Sequence, residues 1–116
     1  MNLKEECINE KKYETFDLFL EKVMYPVMDA VDRVHNKGYI HRDIKPTNII
    51  IEKSEKPILI DFGSAVHIDM DKEKKIMVTP GFSPIEFYSE KSIQTKSSDV
   101  YSIAAMLYYY FCGEIP

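Results

Sequence analysis

A chain of 116 residues has room for one modest domain, and its formal net charge of -4 argues against a surface that binds nucleic acid. Hydrophobic residues make up 45% of the chain and charged residues 29%, which is typical of a folded globular protein and excludes an extended disordered one. No block of like charge is long enough to change that conclusion.

Residues 1–15 are expected to form a charged, solvated lead-in, since they carry little apolar periodicity. Over residues 16–34 apolar side chains recur at helical spacing, and Gly38 follows as a stop signal, so a first helix is predicted there. Pro26 falls inside this pattern. It occupies the first turn of the helix or kinks a longer one, and both alternatives fit the sequence.

Two short β-branched runs, at 49–52 and 57–60, are separated by the polar tetrapeptide KSEK and predict a β-hairpin. An antiparallel hairpin places the residue that enters its first strand beside the residue that leaves its second. Here those residues are Asn48 and Asp61. An amide oxygen and a carboxylate are hard ligands that hold Mg2+ when a substrate phosphate supplies further oxygens.

Asp43 and Lys45 stand just before Asn48 and add a carboxylate and a cation at the same place. One carboxylate outside the metal set, two oxygen ligands and one cation together suit phosphoryl transfer. Taken alone, His-Arg-Asp at 41–43 or Asp-Phe-Gly at 61–63 is more often a polar loop or a turn. Their order around a predicted hairpin favours a functional interpretation.

Residues 63–78 contain the charged run DMDKEKK and are expected to form an exposed loop, and TPGFSP at 79–84 has the composition of turns. A second, buried helix is predicted over 98–112, with Ser97 and Ser98 as candidate caps and a glycine directly after it as its stop. Its apolar stretch of 13 residues is too short to cross a bilayer.

The two cysteines, Cys7 and Cys112, lie far apart and outside any metal-ligand spacing. This usage disfavours a zinc site or a disulfide framework and fits a reducing compartment. The N-terminus has no apolar segment of the kind found in secretory signals. We therefore expect a cytoplasmic domain without a membrane span.

The sequence HRDIKPTN at 41–48, followed by DFG at 61–63, resembles the catalytic loop and the magnesium-binding motif of the eukaryotic-type protein kinases. TPGFSPIE at 79–86 is similar to the end of a kinase activation segment, which would run over 61–86. At Ile85 the chain departs from the Ala-Pro-Glu of the family, which has proline there.

Two helical stretches extend the resemblance. AVDRVHNKGYI at 30–40 resembles the helix that leads into the catalytic loop, and DVYSIAAMLYYYFCGEIP at 99–116 resembles the buried helix that supports it. The resemblance covers about residues 16–116 and implies a partial kinase domain of α+β, mainly α, fold. That fold would be the C-terminal lobe, with helix, catalytic loop, β-hairpin, activation segment and buried helix in this order.

By position, the resemblance implies that Asp43 accepts or orients the proton of the substrate hydroxyl. It also implies that Lys45 contacts ATP and neutralises charge on the transferred phosphoryl group. Asn48 and Asp61 would hold Mg2+, or Mn2+, against ATP. Ile50 would lie under the adenine ring, although ordinary core packing also explains an isoleucine there.

The resemblance also assigns supporting positions. Asp99 would accept backbone hydrogen bonds from the catalytic loop, although the helix dipole favours an acid in any first turn by about 0.3–1 kcal/mol. Lys45 together with Thr79 resembles the pattern of the kinases that are specific for serine and threonine in proteins. The alternative interpretation of Thr79 is an ordinary turn residue. His41 and Phe62 would pack on each other. The full supporting set is His41, Arg42, Phe62, Gly63, Thr79, Glu86 and Asp99.

Arg42 precedes the catalytic acid, at a position where the family's arginine pairs with a phosphate on the activation loop. Between residues 65 and 78 the chain has no Ser, Thr or Tyr to phosphorylate, so Asp69, Asp71 or Glu73 is a candidate permanent anion. A merely solvated charged run explains these residues equally well.

Some parts of the family pattern have no counterpart in the sequence. No Gly-rich phosphate loop and no Val-Ala-x-Lys strand precede residue 16. We therefore expect the N-terminal lobe to be absent from this chain and to come from a missing segment or a partner. In the family, Glu86 would pair with an arginine farther along the chain, and none follows it here.

Three functions fit the sequence. The first is a serine/threonine protein kinase core that transfers the ATP γ-phosphate to protein hydroxyls and is weak or inactive as an isolated chain. The second is a non-catalytic, kinase-like binding or regulatory fragment, which the missing lobe favours. The third is a small-molecule phosphotransferase, which Arg42 and the TPGFSPIE segment disfavour.

Overall fold

The computed structural model describes residues 2–3, 13–68, 78–88 and 95–116. These residues form a mixed α/β structure of three α-helices and two small antiparallel sheets. In chain order the elements are α1 (Phe16–Phe19), α2 (Tyr25–Asn36), β1 (Tyr39–Ile40), β2 (Ile49–Ile51), β3 (Pro57–Leu59), β4 (Val66–His67) and α3 (Lys96–Cys112).

The helix predicted over 16–34 is present in three pieces. A π-helical turn, Leu20–Met24, joins α1 to α2, and Pro26 stands in the first turn of α2. Proline has no N–H to donate and its ring clashes with the carbonyl four residues earlier. The wider π turn lies where that backbone bond is lost, so the helical path continues past the proline.

The lead-in is anchored to the fold at both of its described ends. Leu3 is 0% exposed and Tyr13 is also buried, and Asn2 forms an isolated antiparallel bridge with Ile50 of β2. The expectation of a wholly solvated lead-in is therefore wrong at these residues. A lone apolar residue in a polar run has no periodicity to detect, yet its burial contributes about 1.5–3 kcal/mol. The rest of the lead-in, 4–12, lies outside the described residues.

The predicted hairpin is β2 paired with β3, in the register Ile49↔Leu59 and Ile51↔Pro57. One further bond, from the Ile60 N–H to the Asn48 carbonyl at 2.9 Å, closes the open end. The strands are each shorter than the predicted runs. The pairing places Asn48 at the end of the hairpin from which Asp61 leaves.

A second pairing joins β1 to β4 and was not predicted. It corrects part of the loop expected over 63–78, since Val66 is buried and belongs to a strand. A strand of two residues carries no alternation that a sequence could reveal. The segment after the hairpin is thereby held against the segment that leads into residues 41–48. Residues 69–77 of the expected loop lie outside the described ranges.

The core lies between α2, the hairpin and α3. Val27, Val31 and His35 form the buried stripe of α2, and the rings of Phe19 and Tyr110 stack with centroids 3.6 Å apart. From α3 the buried set is Ser98, Asp99, Ser102, Ile103, Ala105, Met106 and Tyr110.

Helix α3 starts two residues earlier than predicted and is capped differently. Thr95 is the N-cap: its hydroxyl accepts from the Ser97 N–H at 3.2 Å, and its own N–H donates to the Ser98 hydroxyl at 3.3 Å. The helix ends as expected at Gly113, whose φ of 79° is a left-handed conformation that glycine adopts without strain. Within the described ranges, no helix combines the length and apolarity needed to span a bilayer.

Candidate active site

Four polar side chains from two distant segments meet beside the hairpin. The Lys45 ammonium lies 3.5 Å from Asp43 Oδ1 and donates a hydrogen bond to Thr79 Oγ1 at 3.3 Å. Asn48 Nδ2 donates both to the Asp43 carbonyl, at 2.8 Å, and to Asp43 Oδ2, at 3.0 Å. Each oxygen of the Asp43 carboxylate therefore has its own neighbour, which fixes the orientation of the group.

The backbone explains why these side chains converge. Pro46–Asn48 forms a 3-10 turn that leads directly into β2, and its N-terminal proline suits the first position of such a turn. The turn is closed by the Asn48 N–H donating to the Lys45 carbonyl at 2.9 Å. On the other segment, the Ser83 hydroxyl accepts from the Thr79 N–H at 2.8 Å and holds that residue in place.

Asn48 and Asp61 offer oxygens of the kind that Mg2+ prefers. The side-chain nitrogen of Asn48 donates to Asp43, which leaves the side-chain oxygen Oδ1 as the group that can act as a ligand. Asp61 is exposed at a φ of 60°, and its Oδ1 accepts from the Gly63 N–H at 3.2 Å. In the described part of the chain, no cluster of three or more His, Cys, Asp or Glu could hold a metal. A hard cation at Asn48 and Asp61 would thus need further oxygens from a bound phosphate.

One buried carboxylate supports the loop that carries Asp43. Asp99 accepts hydrogen bonds from the backbone N–H groups of His41 and Arg42, both at 2.9 Å, and lies 2.7 Å from His35 Nε2. Arg42 has a φ of 71°, a conformation that costs a non-glycine residue about 1–2 kcal/mol. The two hydrogen bonds donated to Asp99 hold this strained backbone in place.

His35 is a site contact that the sequence interpretation missed. It follows Val27 and Val31 at intervals of four on the buried stripe of α2. That spacing was a usable signal, because a histidine on a buried helix face needs a polar partner.

The ring of His41 connects the loop to the end of the hairpin. Its Nδ1 accepts from the Asp43 N–H at 3.1 Å, so the ring hydrogen is on Nε2, which lies 3.0 Å from the Ile60 carbonyl. Phe62 packs edge-on against this ring, with centroids 4.8 Å apart, and is 47% exposed. A single histidine thus joins Asp43 to the residues on either side of Asp61.

Arg42 is buried although it carries a permanent charge. Only 1% of the residue is exposed, and Nε donates to the Ser64 carbonyl at 2.7 Å. Burial lowers the pKa of its guanidinium from the usual value, and the nearby Asp99 carboxylate opposes that effect. The candidate anions at 69, 71 and 73 lie outside the described residues.

Glu86 has a partner that the sequence did not suggest. It lies in the 3-10 turn Ile85–Tyr88, and its Oε2 accepts from the Ser98 hydroxyl at 2.8 Å. Since Ser98 also accepts from the Thr95 N–H, the cap of α3 and Glu86 share one hydroxyl. Ile50 is half-buried in β2 next to Asn2, a position that is compatible with core packing and with adenine binding alike.

Comparison with known proteins gives consistent matches. The family model described as protein kinase domain matches residues 3–116. Aurora kinase of Yarrowia lipolytica is 31% identical over 93 residues, which cover 80% of this chain and 25% of that protein. Serine/threonine-protein kinase ppk34 of Schizosaccharomyces pombe is 38% identical over 90 residues, which cover 75% of this chain and 25% of that protein. Calcium/calmodulin-dependent protein kinase type 1 of Macrobrachium nipponense is 32% identical over 116 aligned residues, which cover 89% of this chain and 33% of that protein. The chain therefore spans a third or less of the length of these relatives.

Proposed function

The chain belongs to the protein kinase family, and on that premise we propose that it carries the catalytic and metal-binding centre of a serine/threonine kinase. The reaction is transfer of the ATP γ-phosphate to hydroxyl groups of protein substrates. The observation that supports this most is the contact of Lys45 with both Asp43 and Thr79, which brings the proposed catalytic aspartate and the threonine of the proposed activation segment to one ammonium group.

Asp43 acts on the acceptor. Its carboxylate is oriented by Asn48 and Lys45, so it can accept a hydrogen bond from the substrate hydroxyl and take the proton as the oxygen attacks phosphorus. Catalysis in this family is mostly positioning and electrostatic stabilisation, and a fixed carboxylate contributes the positioning.

Lys45 stabilises charge on the transferred group. An ammonium 3.5 Å from Asp43 Oδ1 lies where an incoming phosphoryl group would meet the acceptor hydroxyl. Its bond to Thr79 Oγ1 keeps the flexible lysine in that position and couples it to the segment expected to bind the protein substrate. These two residues are the basis for proposing serine and threonine as acceptors.

The Asn48 amide oxygen and the Asp61 carboxylate would hold Mg2+, or Mn2+, which supplies charge neutralisation on the ATP phosphates. The hairpin brings both residues to one end of the paired strands. The strained φ of Asp61 is of the kind that occurs at ligand sites, where surrounding structure maintains it.

A second candidate function is a non-catalytic, kinase-like binding or regulatory role. The sequence has no Gly-rich loop, and both Asp61 and Phe62 are exposed on the side where ATP would bind. A nucleotide held from one side only loses much of the alignment that transfer requires.

The acceptor residue separates these functions. Purified protein is incubated with radiolabelled ATP, Mg2+ and a mixed peptide pool, and the labelled amino acids are then identified. Because the isolated chain is expected to be a weak enzyme, we expect slow labelling of serine and threonine, no labelling of tyrosine, and dependence on Mg2+. Binding of MgATP and peptide without label on any hydroxyl residue would favour the non-catalytic role instead.

A further inference from the structure

The outer side of helix α3 is apolar although it is exposed to solvent. Beyond the first turn its exposed residues, here called the α3 face, are Val100, Tyr101, Ala104, Tyr108, Phe111 and Cys112. No charged residue occurs between positions 100 and 112 of the sequence. A helix at the surface of a globular protein ordinarily carries charged and polar side chains opposite its buried stripe. The α3 face therefore has the composition of a surface that another protein covers.

The apolar residues of this face form one continuous stripe. Tyr101, Ala104, Tyr108 and Phe111 follow one another at intervals of three, four and three, which keeps them on one side of the helix and is the spacing found where two helices pair. Phe16 of α1 extends the stripe, because its ring meets that of Phe111 edge to face with centroids 5.7 Å apart. Phe111 remains 66% exposed and Phe16 41% exposed in this contact, so the two rings do not bury each other.

The size of the stripe suits a weak dimer. Tyr101 is 42% exposed and Tyr108 is 48% exposed, and with Phe16 and Phe111 they present roughly 400 Å2 of aromatic surface to solvent. Apolar patches of several hundred Å2 on a monomer often mark interaction sites. Two such stripes in contact, together with Val100 and its neighbours, would bury roughly 1,000 Å2 in total, which lies at the lower limit for a specific interface.

Charges at the two ends of the stripe define a direction. Lys96 is exposed at the start of α3, whereas Glu114 is exposed just beyond its end, where Asp17 also follows Phe16 in the chain. If two copies pair with their helices antiparallel, the lysine end of each meets the acidic end of the other, while parallel pairing would bring like charges together. Antiparallel pairing also sets the two helix dipoles in opposite directions, which is favourable.

We infer that the α3 face binds the same face of a second copy of this chain, with the two α3 helices antiparallel about a twofold axis near Ala104. A surface that pairs with itself requires such an axis. The small side chain of Ala104 allows the helices to approach closely at the centre, and Tyr101 of each copy then lies opposite Tyr108 of the other. The pairing uses none of the residues assigned to phosphate transfer, so it stands or falls independently of the proposed function.

Sedimentation equilibrium over a series of protein concentrations measures this pairing directly. We expect a monomer–dimer equilibrium with a dissociation constant of roughly 1–100 μM. Tyr108→Glu and Phe111→Glu should each weaken it at least about tenfold, because each places a carboxylate in the desolvated interface. Tyr25→Glu is the matched control: this tyrosine of α2 is 55% exposed but lies outside the α3 face, and the variant should dimerise like the wild type.

A charge exchange tests the direction of the helices. Lys96→Glu should weaken the dimer about threefold or more, since both ends of the antiparallel pair then carry acidic groups. Adding Glu114→Lys should restore most of the affinity, because opposite charges face each other again. In a parallel pair neither variant would change the dissociation constant. Both positions are exposed, and an acid in the first turn of a helix favours folding, so the variants should fold.

Three results would each overturn the assignment. The first is a chain that stays monomeric throughout the concentration series. The second is a dimer that Tyr108→Glu and Phe111→Glu weaken no more than Tyr25→Glu does, which would show that it forms through another surface. The third is a dimer whose dissociation constant does not change in Lys96→Glu or is not restored by Glu114→Lys.

Discussion

Asp99 is the residue on which the geometry of the loop at 41–48 depends. Its two carboxylate oxygens accept from His41, Arg42 and His35 while the residue itself is fully buried. A buried carboxylate is costly unless every oxygen is satisfied, and here each is. The arrangement holds the positive φ of Arg42 and so fixes the direction in which Asp43 leaves the loop.

Replacing Asp99 by asparagine should therefore destabilise the fold. The amide has one acceptor oxygen instead of two, and its NH2 group would face backbone donors. We expect the free energy of unfolding in urea to fall by about 3 kcal/mol or more. Asp29→Asn, at an exposed position of α2, is the matched control and should have little effect. An unchanged denaturation midpoint in Asp99→Asn would show that the loop does not depend on this carboxylate.

We expect Asp61 to bind the metal, and we expect its substitution to leave the fold unchanged. Asp61→Asn removes the charged member of the proposed ligand pair, so the affinity for MgATP in calorimetry should fall at least about tenfold. The affinity for ATP without a divalent cation serves as the internal control and should stay constant, because it involves no metal ligand. Equal MgATP affinity in the two proteins would remove Asp61 from the metal site.

At the level of elements, the start of α3 is linked to the 3-10 turn Ile85–Tyr88. The Ser98 hydroxyl accepts from the Thr95 N–H and donates to Glu86, so one side chain serves both the capping box and the neighbouring turn. The position of that turn therefore depends on a well-formed helix end. Glu86 gains from it one hydrogen bond that the sequence alone did not reveal.

Removing the cap should weaken this end of the helix. In Thr95→Ala the Ser97 N–H loses its acceptor, and the free energy of unfolding should fall by about 1 kcal/mol. Ser97→Ala is the control, since its backbone N–H, and not its side chain, takes part in the cap. If both variants unfold at the same denaturant concentration, the cap at Thr95 contributes nothing measurable.

The elements differ in how far the sequence could predict them. Helical spacing predicted α2 and α3, and β-branched runs predicted the hairpin, because each signal repeats over several residues. The pairing of β1 with β4 and the burial of Leu3 were missed, because two-residue strands and single apolar residues leave no periodic signal.

For the site, motif resemblance predicted two contacts across the fold, of Asp99 with the backbone of His41 and Arg42 and of His41 with Phe62, and both are present. Three further contacts were not predicted. Lys45 and Thr79 are 34 positions apart, His35 and Asp99 are 64 apart, and Glu86 and Ser98 are 12 apart. Only tertiary packing brings such pairs together. The catalytic and metal-binding roles of the site residues remain predictions.

At the scale of the whole molecule, the described residues leave the side of the hairpin that carries Asp61 and Phe62 exposed, and this is the side proposed for ATP. Asp61 and Phe62 are exposed and Ile50 is only half-buried, while the 116 residues contain no Gly-rich loop to cover a phosphate. A nucleotide bound by this chain alone would contact protein on one face. Burial and alignment on that face give only part of the binding free energy that a closed cleft gives.

The 116-residue chain by itself should consequently bind ATP weakly. We expect a Kd for MgATP at or above roughly millimolar, which corresponds to about -4 kcal/mol. Calorimetry on purified, monomeric chain measures it directly. A Kd in the micromolar range would contradict this expectation and show that one face suffices to hold the nucleotide.

Asp43 is proposed to accept the proton of the substrate hydroxyl in a protein kinase centre. The most direct test compares wild type and Asp43→Ala for radiolabelled phosphate transfer to a serine peptide, with MgATP affinity measured in parallel. The account predicts that kcat falls about a hundredfold or more while the nucleotide affinity stays nearly unchanged, because Asp43 acts on the hydroxyl during transfer. An unchanged transfer rate in Asp43→Ala would contradict the account and leave Asp43 as an ordinary loop residue.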